Sequence, residues 1–304
     1  MPLLLGERRV VGWWAFGVCL VAAVGSAVSA ASTKRPDVAV SRTPVVVAAS
    51  RTVAAPVRAS LELEPVTIRP ERHPLDGLSA IEVQTLVRAT PEKLGPAIVG
   101  RPNRGRLLNP VRLESATALE VMNDERNYGT RATVDAIRAA AAEVEREFPG
   151  STLRVGDLSG RRGGYIRPHR SHQAGVDADI GFYYRTPAKW YTKANASNLD
   201  RERTWAFVKA LVAQGNVEYL FVDRSIQLLL REYAIGIGES REFLDALFET
   251  PAKRDTLIRH TWGHLTHLHV RFIDPVAEET GRRVDPSVAK RGSARSLSVR
   301  RTNR

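Results

Sequence analysis

Two short stretches of the 304-residue chain alternate strictly between apolar and polar positions. In VDADIGF (176–182), Val176, Ala178, Ile180 and Phe182 fall on one side of an extended backbone, and Asp177, Asp179 and Gly181 on the other. In HLHVRF (267–272), Leu268, Val270 and Phe272 share one side, and His267, His269 and Arg271 share the opposite one. Each pattern predicts a strand with an apolar face and a face bearing ionisable groups. Placed in one sheet, the apolar faces join the core, and the aspartates and histidines converge on the other side.

Helical periodicity organises much of the remainder. Val134, Ile137, Ala141, Val144 and Phe148 recur at steps of three and four, so the spacing predicts a helix over Arg131–Phe148, stopped by Pro149-Gly150. A second helix fits Arg201–Gln214, capped by Asp200 and ended by Gly215. VEYLFVD (217–223) predicts a strand, Ser225–Tyr233 and Ser240–Phe248 predict short helices, and another short helix fits around Ser79–Val87.

Composition changes the picture at both ends. Arg8 and Arg9 precede an apolar run from Val10 to Val24 and then the small residues GSAVSA. Residues 1–30 therefore predict an export signal cleaved near Ala30, with an uncleaved N-terminal membrane anchor as the alternative. A flexible linker rich in Ser, Thr, Pro, Val, Ala and Arg is expected over 31–85, and the folded domain over 86–275. Gly281–Arg304 holds eight Lys/Arg against Asp285 alone, which predicts a disordered basic tail over 276–304.

The single cysteine, Cys19, lies inside the apolar run. Removal of the signal leaves none, which excludes a disulfide framework, a cysteine-ligated metal and cysteine nucleophile chemistry. The formal charge of +12 calls for an anionic partner: nucleic acid, acidic lipid or the polyanionic bacterial cell wall. Export argues against nucleic acid, and so does the lack of the aromatic–basic interleaving that single-strand binders use. The expected partner of the basic tail is the anionic cell wall.

Six of the seven histidines fall in two clusters, His169 and His172, then His260, His264, His267 and His269. Imidazole and carboxylate are the ligands of a sulfur-free Zn²⁺ site, and a catalytic zinc keeps three protein ligands plus a water. A further imidazole beside the metal would act as base or stabilise a developing oxyanion. Spacing alone does not choose between Asp177 and Asp179, nor between His267 and His269.

HRSHQAGVDADIGF (169–182) together with HLTHLHVRF (264–272) resembles the penicillin-insensitive murein endopeptidases. These belong to a wider group of zinc peptidases that includes lysostaphin-type enzymes and D-Ala-D-Ala carboxypeptidases. The shared pattern is His, six residues, Asp and a later His-x-His, met here by His172, Asp179 and His267-Leu268-His269. The narrower pattern adds His169 and His264. The resemblance spans roughly residues 95–275 and takes in NYGT (127–130) and GRPNRGRL (100–107) as loops near the site.

The resemblance implies that His172, Asp179 and His269 bind zinc, that His267 is the catalytic imidazole, and that His169 and His264 line the site. Asp177 becomes a supporting carboxylate, and Arg271 a packing or substrate-side charge. Asp200 is either a family aspartate or only a helix cap. The implied fold is α+β, a small antiparallel sheet with flanking helices and zinc on one sheet face. The implied substrate is the cross-linking peptide of peptidoglycan, cut between D-alanine and the amino group of a diamino acid in the periplasm or cell envelope. Hydrolysis without an acylated serine accounts for indifference to β-lactams. The alternatives are a D,D- or L,D-carboxypeptidase on the same scaffold and a non-catalytic peptidoglycan-binding protein.

Overall fold

The structure, a computed structural model, describes residues 72–285. The expected export signal, the linker before residue 72 and the tail beyond Asp285 lie outside the described residues. No helix among the described residues is long and apolar enough to cross a membrane.

Helix α1 (Ala80–Ala89) leads into a hairpin of β1 (Ala97–Arg101) and β2 (Arg104–Leu108). Three short strands follow, β3 (Val111–Arg112), β4 (Leu119–Val121) and β5 (Tyr128–Gly129), then α2 (Arg131–Glu147). Next come β6 (Leu153–Val155), β7 (Asp177–Gly181), α3 (Arg201–Ala213) and β8 (Val217–Val222). The order closes with α4 (Arg224–Gly236), α5 (Arg241–Leu247), β9 (Ile258–His260), β10 (His267–Phe272) and α6 (Pro275–Val284).

The predicted helices form because caps and apolar stripes agree. Thr130, Asp200 and Ser240 each accept the backbone N–H three residues on, opening α2, α3 and α5. Ser79 and Glu82 form a reciprocal capping box at α1. Gly150 and Gly215, both with positive φ, follow the ends of α2 and α3.

Six strands form the main sheet, in the order β4-β6-β7-β10-β8-β9. The four central strands pair antiparallel, as expected. Both outer pairs, β4–β6 and β8–β9, are parallel, which corrects the expectation of an antiparallel sheet. The reason lies in the connections. Parallel neighbours need a crossover, and α2 intervenes between β4 and β6, as α4 and α5 do between β8 and β9. Ala178, Ile180, Leu268 and Val270 are fully buried and join the core with Val134 and Ile137 of α2 and Trp205 and Leu211 of α3. A one-residue slip of either strand would drive ionisable side chains into that core, so the register is strongly set.

Both ends of the domain extend further than expected. Residues 276–284, assigned to a disordered tail, lie in α6, and residues 80–85, assigned to the linker, lie in α1, the short helix expected around Ser79–Val87. The two segments pack together. Leu75, Val83, Leu94 and Val284 form one cluster, Arg283 pairs with Asp76 at 2.7 Å, and the His73 ring lies 3.1 Å from the Thr280 hydroxyl. The dense arginines of this stretch conceal a helical stripe of buried Ala277, Thr280, Gly281 and Val284. At Gly281 the helix backbone lies so close to β1 that a Cβ would collide with the Ile98 carbonyl. Gly281→Ala should therefore destabilise the domain by about 3 kcal/mol, the upper end of overpacking costs. Thermal unfolding checks this, and an unchanged Tm would contradict the docking of α6 on β1.

Candidate metal centre

Strands β7 and β10 pair with His269 opposite Asp179, Arg271 opposite Asp177 and His267 opposite Gly181. Opposed side chains project to the same sheet face, so the ionisable groups converge as the alternation requires. His269 Nδ1 lies 3.0 Å from Asp179 Oδ1, and His172 Nε2 lies 3.3 Å from that oxygen and 3.2 Å from His269 Nδ1. His172, Asp177 and Asp179 are at most 1 % exposed and His269 is 7 % exposed, so water screens none of them well. His169, expected only to line the site, brings Nδ1 to 3.7 Å from Asp179 Oδ2. Ligand atoms of His169, His172 and Asp179 all lie within 4.8 Å of one another, a group that could hold a metal ion.

Each imidazole is turned by a bond at its other nitrogen. His172 Nδ1 donates to the Leu158 carbonyl at 2.7 Å, which leaves Nε2 facing the cluster. His269 Nε2 donates to Asp177 Oδ1 at 3.1 Å, and His169 Nε2 donates to Asp157 Oδ2 at 2.9 Å. Asp177 is in turn gripped by Arg271 Nε at 2.7 Å and Nη2 at 2.9 Å, and Arg271 Nη2 also donates to Asn103 in the β1–β2 turn. Such outer partners fix the tautomer and direction of metal-binding imidazoles. Asp179 Oδ2 is buried with no hydrogen-bond partner. An unsatisfied buried carboxylate oxygen is costly, and a cation among these donors would satisfy it.

The backbone that presents His172 is strained. Its φ of 62° is a left-handed conformation that non-glycine residues adopt infrequently. Its N–H donates to Asp177 Oδ2 at 3.2 Å, so the same carboxylate secures both histidines. Three residues on, Gly175 (φ +73°) lies against Gly129 of NYGT, and the Thr130 N–H donates to its carbonyl at 2.9 Å. A Cβ at Gly175 would meet the Gly129 backbone. NYGT is thus the floor on which the loop that carries His172 rests.

Electrostatics separate the two residues of His-x-His. Burial opposes charge on His269, but hydrogen bonds to Asp177 and Asp179 outweigh it and raise its pKa to about 9. Burial likewise opposes the Asp179 charge, yet bonds from His172 and His269 hold it well below the ordinary carboxylate range. At His267 burial prevails over the Asp179 charge and lowers the pKa to about 4. Metal-free protein therefore carries a proton on His269 at neutral pH, and a metal bound at this ring would have to expel it. Zn²⁺ affinity should rise about tenfold per pH unit through the neutral range and level off above the His269 pKa. Titration against a competing chelator at several pH values checks this, and a flat profile would contradict it.

Residues 98–303 match the family described as penicillin-insensitive murein endopeptidase. The chain belongs to that family. Among curated relatives, the penicillin-insensitive murein endopeptidase of Pectobacterium atrosepticum is 25% identical over 217 residues, covering 64% of this chain and 69% of the relative. Those of Yersinia pestis and Yersinia pseudotuberculosis are each 23% identical over 226 residues, covering 65% of this chain and 76% of theirs.

Not every family-like feature falls at the centre. His267 Nε2 lies 3.5 Å from Asp179 Oδ1, its Nδ1 lies 2.9 Å from the Thr266 hydroxyl, and Tyr191 meets its ring edge-on at 5.7 Å. The His264 ring lies 4.9 Å from that of His267. His260 departs from the cluster: it ends β9, and its Nδ1 accepts the Arg224 backbone N–H. Asp200 is a helix cap that also pairs with Arg203.

Two supporting residues escape a reading of the sequence. Asp157 accepts from His169, from Arg126 at 2.8 Å and from Asn123 at 3.0 Å, but a lone aspartate ahead of the motif carries no pattern. Trp190 lies on Gly156 and Gly181, where any Cβ would overlap its ring.

Proposed function

We propose that this protein is an exported zinc endopeptidase that hydrolyses the D-alanyl–diamino acid cross-links of peptidoglycan. The convergence of His172 Nε2, His269 Nδ1 and the Asp179 carboxylate, with Oδ2 unsatisfied, is the observation that carries the reading. Two nitrogens and a carboxylate without sulfur suit Zn²⁺. His172, Asp179 and His269 would hold the metal, and His169 Nδ1 is a further donor within reach. Bound zinc would supply Lewis-acid polarisation of the scissile carbonyl and a lowered pKa for water.

The remaining chemistry belongs to the protein. His267, kept neutral by burial, can take a proton at Nε2 and return it to the departing amine. Thr266 and Tyr191 orient its ring, and His264 lines the same side. A cavity of about 340 Å³ shares Thr266, Tyr191 and Gly181 with this neighbourhood and gives a peptide room beside the imidazole. Residues 286–304 add six Lys/Arg and no acid, and they are proposed to hold the protein to the anionic wall. The Arg8-Arg9 and apolar pattern supports delivery to the periplasm or cell envelope.

Digestion of purified cross-linked muropeptide dimers tests the activity. Release of two monomers without free D-alanine is expected. Free D-alanine would instead favour the carboxypeptidase, and binding without turnover by the zinc-loaded protein would favour a wall-binding module.

A further inference from the structure

The hairpin β1–β2 and the loop 160–170 together expose seven arginines and no acidic residue. Arg101, Arg104 and Arg106 share one face of the hairpin, since Arg101 pairs with Arg104 and Arg106 lies two residues on. Arg161, Arg162, Arg167 and Arg170 stand on the loop, which runs along the free edge of β2: Leu107 N–H donates to the Arg162 carbonyl at 3.2 Å, and Arg106 bridges to Gly163. Gly163, with φ +64°, permits this approach, because a Cβ there would strike the β2 backbone. All seven arginine side chains are exposed, and among the described residues none forms a salt bridge. Arg126 and Arg271 differ, being paired with Asp157 and Asp177 at 2.8 and 2.7 Å.

Seven unpaired like charges repel one another and cost stability, which a merely solvated surface gains nothing from. The face is also continuous with the metal centre. The loop runs directly into His169 and His172, and Asn103 at the hairpin turn accepts from Arg271, which holds Asp177. Tyr165, 65 % exposed, sits in the middle of the loop arginines as a flat apolar surface. Guanidinium groups are planar forks matched to carboxylate and phosphate oxygens.

We propose that this arginine face binds the free carboxylates of peptidoglycan stem peptides and seats the polymer beside the metal centre. The proposal rests on the peptidoglycan reading above, and it assigns substrate capture to the folded domain. Carboxylates are favoured over phosphate polymers because the face adjoins the site at which the peptides are cut.

Full-length protein should be co-sedimented with purified sacculi stripped of phosphate polymers, in chelator so that binding is read without turnover. The variants are R101E/R104E/R161E/R162E and the milder set with Gln at the same positions. Both sets should bind sacculi at least tenfold more weakly at low salt, with the gap closing as salt shortens the Debye length to about 8 Å. Sacculi with amidated carboxylates should bind the unaltered protein as poorly as native sacculi bind the variants. Cleavage of a small soluble cross-linked peptide whose free carboxylates are amidated, and which therefore offers the face nothing to bind, should stay within twofold.

Undiminished binding by a folded Gln set would overturn the proposal, as would equal binding to native and amidated sacculi. Preference for sacculi that retain phosphate polymers would transfer the face to that partner. Loss of all binding on truncation after Asp285 would place capture in the tail instead. Failure of the endopeptidase reading shows separately, as dimers left intact by the zinc-loaded protein.

Discussion

Asp179→Ala should empty the metal centre and reduce cross-link hydrolysis to background. The Asp179 carboxylate faces four imidazoles: His269 at 3.0 Å, His172 at 3.3 Å, His267 at 3.5 Å and His169 at 3.7 Å. Its removal takes away the one carboxylate that, among the described residues, is aimed into the cluster, and leaves neighbouring rings without their shared anion. His172→Ala and His269→Ala should behave alike, because each deletes a nitrogen already turned inward by a bond at its other side. The loss should exceed the roughly 10–100-fold cost of deleting an outer partner, the scale expected for Asp177→Asn. Asp179→Asn keeps the volume and separates the loss of a ligand from a packing defect. Metal content by mass spectrometry and turnover of muropeptide dimers read the outcome. A folded Asp179→Asn protein with full zinc and full turnover would remove Asp179 from the centre.

His267→Ala should give the opposite combination, with zinc retained and turnover lowered by roughly 10²–10⁴-fold, the usual worth of a positioned acid or base. The two histidines of His-Leu-His share a sheet face but not an environment. His269 is clasped by two aspartates and rises to about 9, whereas His267 meets a hydroxyl and an aromatic edge and falls to about 4. His267, neutral at physiological pH, is free to accept a proton and is the proposed acid–base group, whereas His269, pinned between carboxylates, is the proposed ligand. If His267→Ala empties the centre while His269→Ala does not, the two roles are reversed.

The face that carries the site was legible because strand periodicity is two. Asp177, Asp179, His267 and His269 had to share a surface once both strands entered one sheet, and the pairing of His269 with Asp179 follows that logic. Helices α2, α3 and α5 were legible from caps and stops, to within a residue at each end. Helix α6 was not, because small residues form its buried stripe while arginine dominates its composition. The parallel outer strands were hidden for a different reason. Strands of three residues, such as β4 and β9, are too short to show alternation. Proximity in sequence misled at His260, which sits in the histidine-rich segment but ends a strand three places away from β7 in the sheet. Asp157 needed the fold itself, since only tertiary contact joins it to His169.

Zinc dependence of cross-link cleavage tests the account most directly. Protein stripped of metal should leave purified muropeptide dimers intact, and one equivalent of Zn²⁺ should restore cleavage to two monomers without free D-alanine. Sustained release of monomers by protein shown to contain no metal would contradict it.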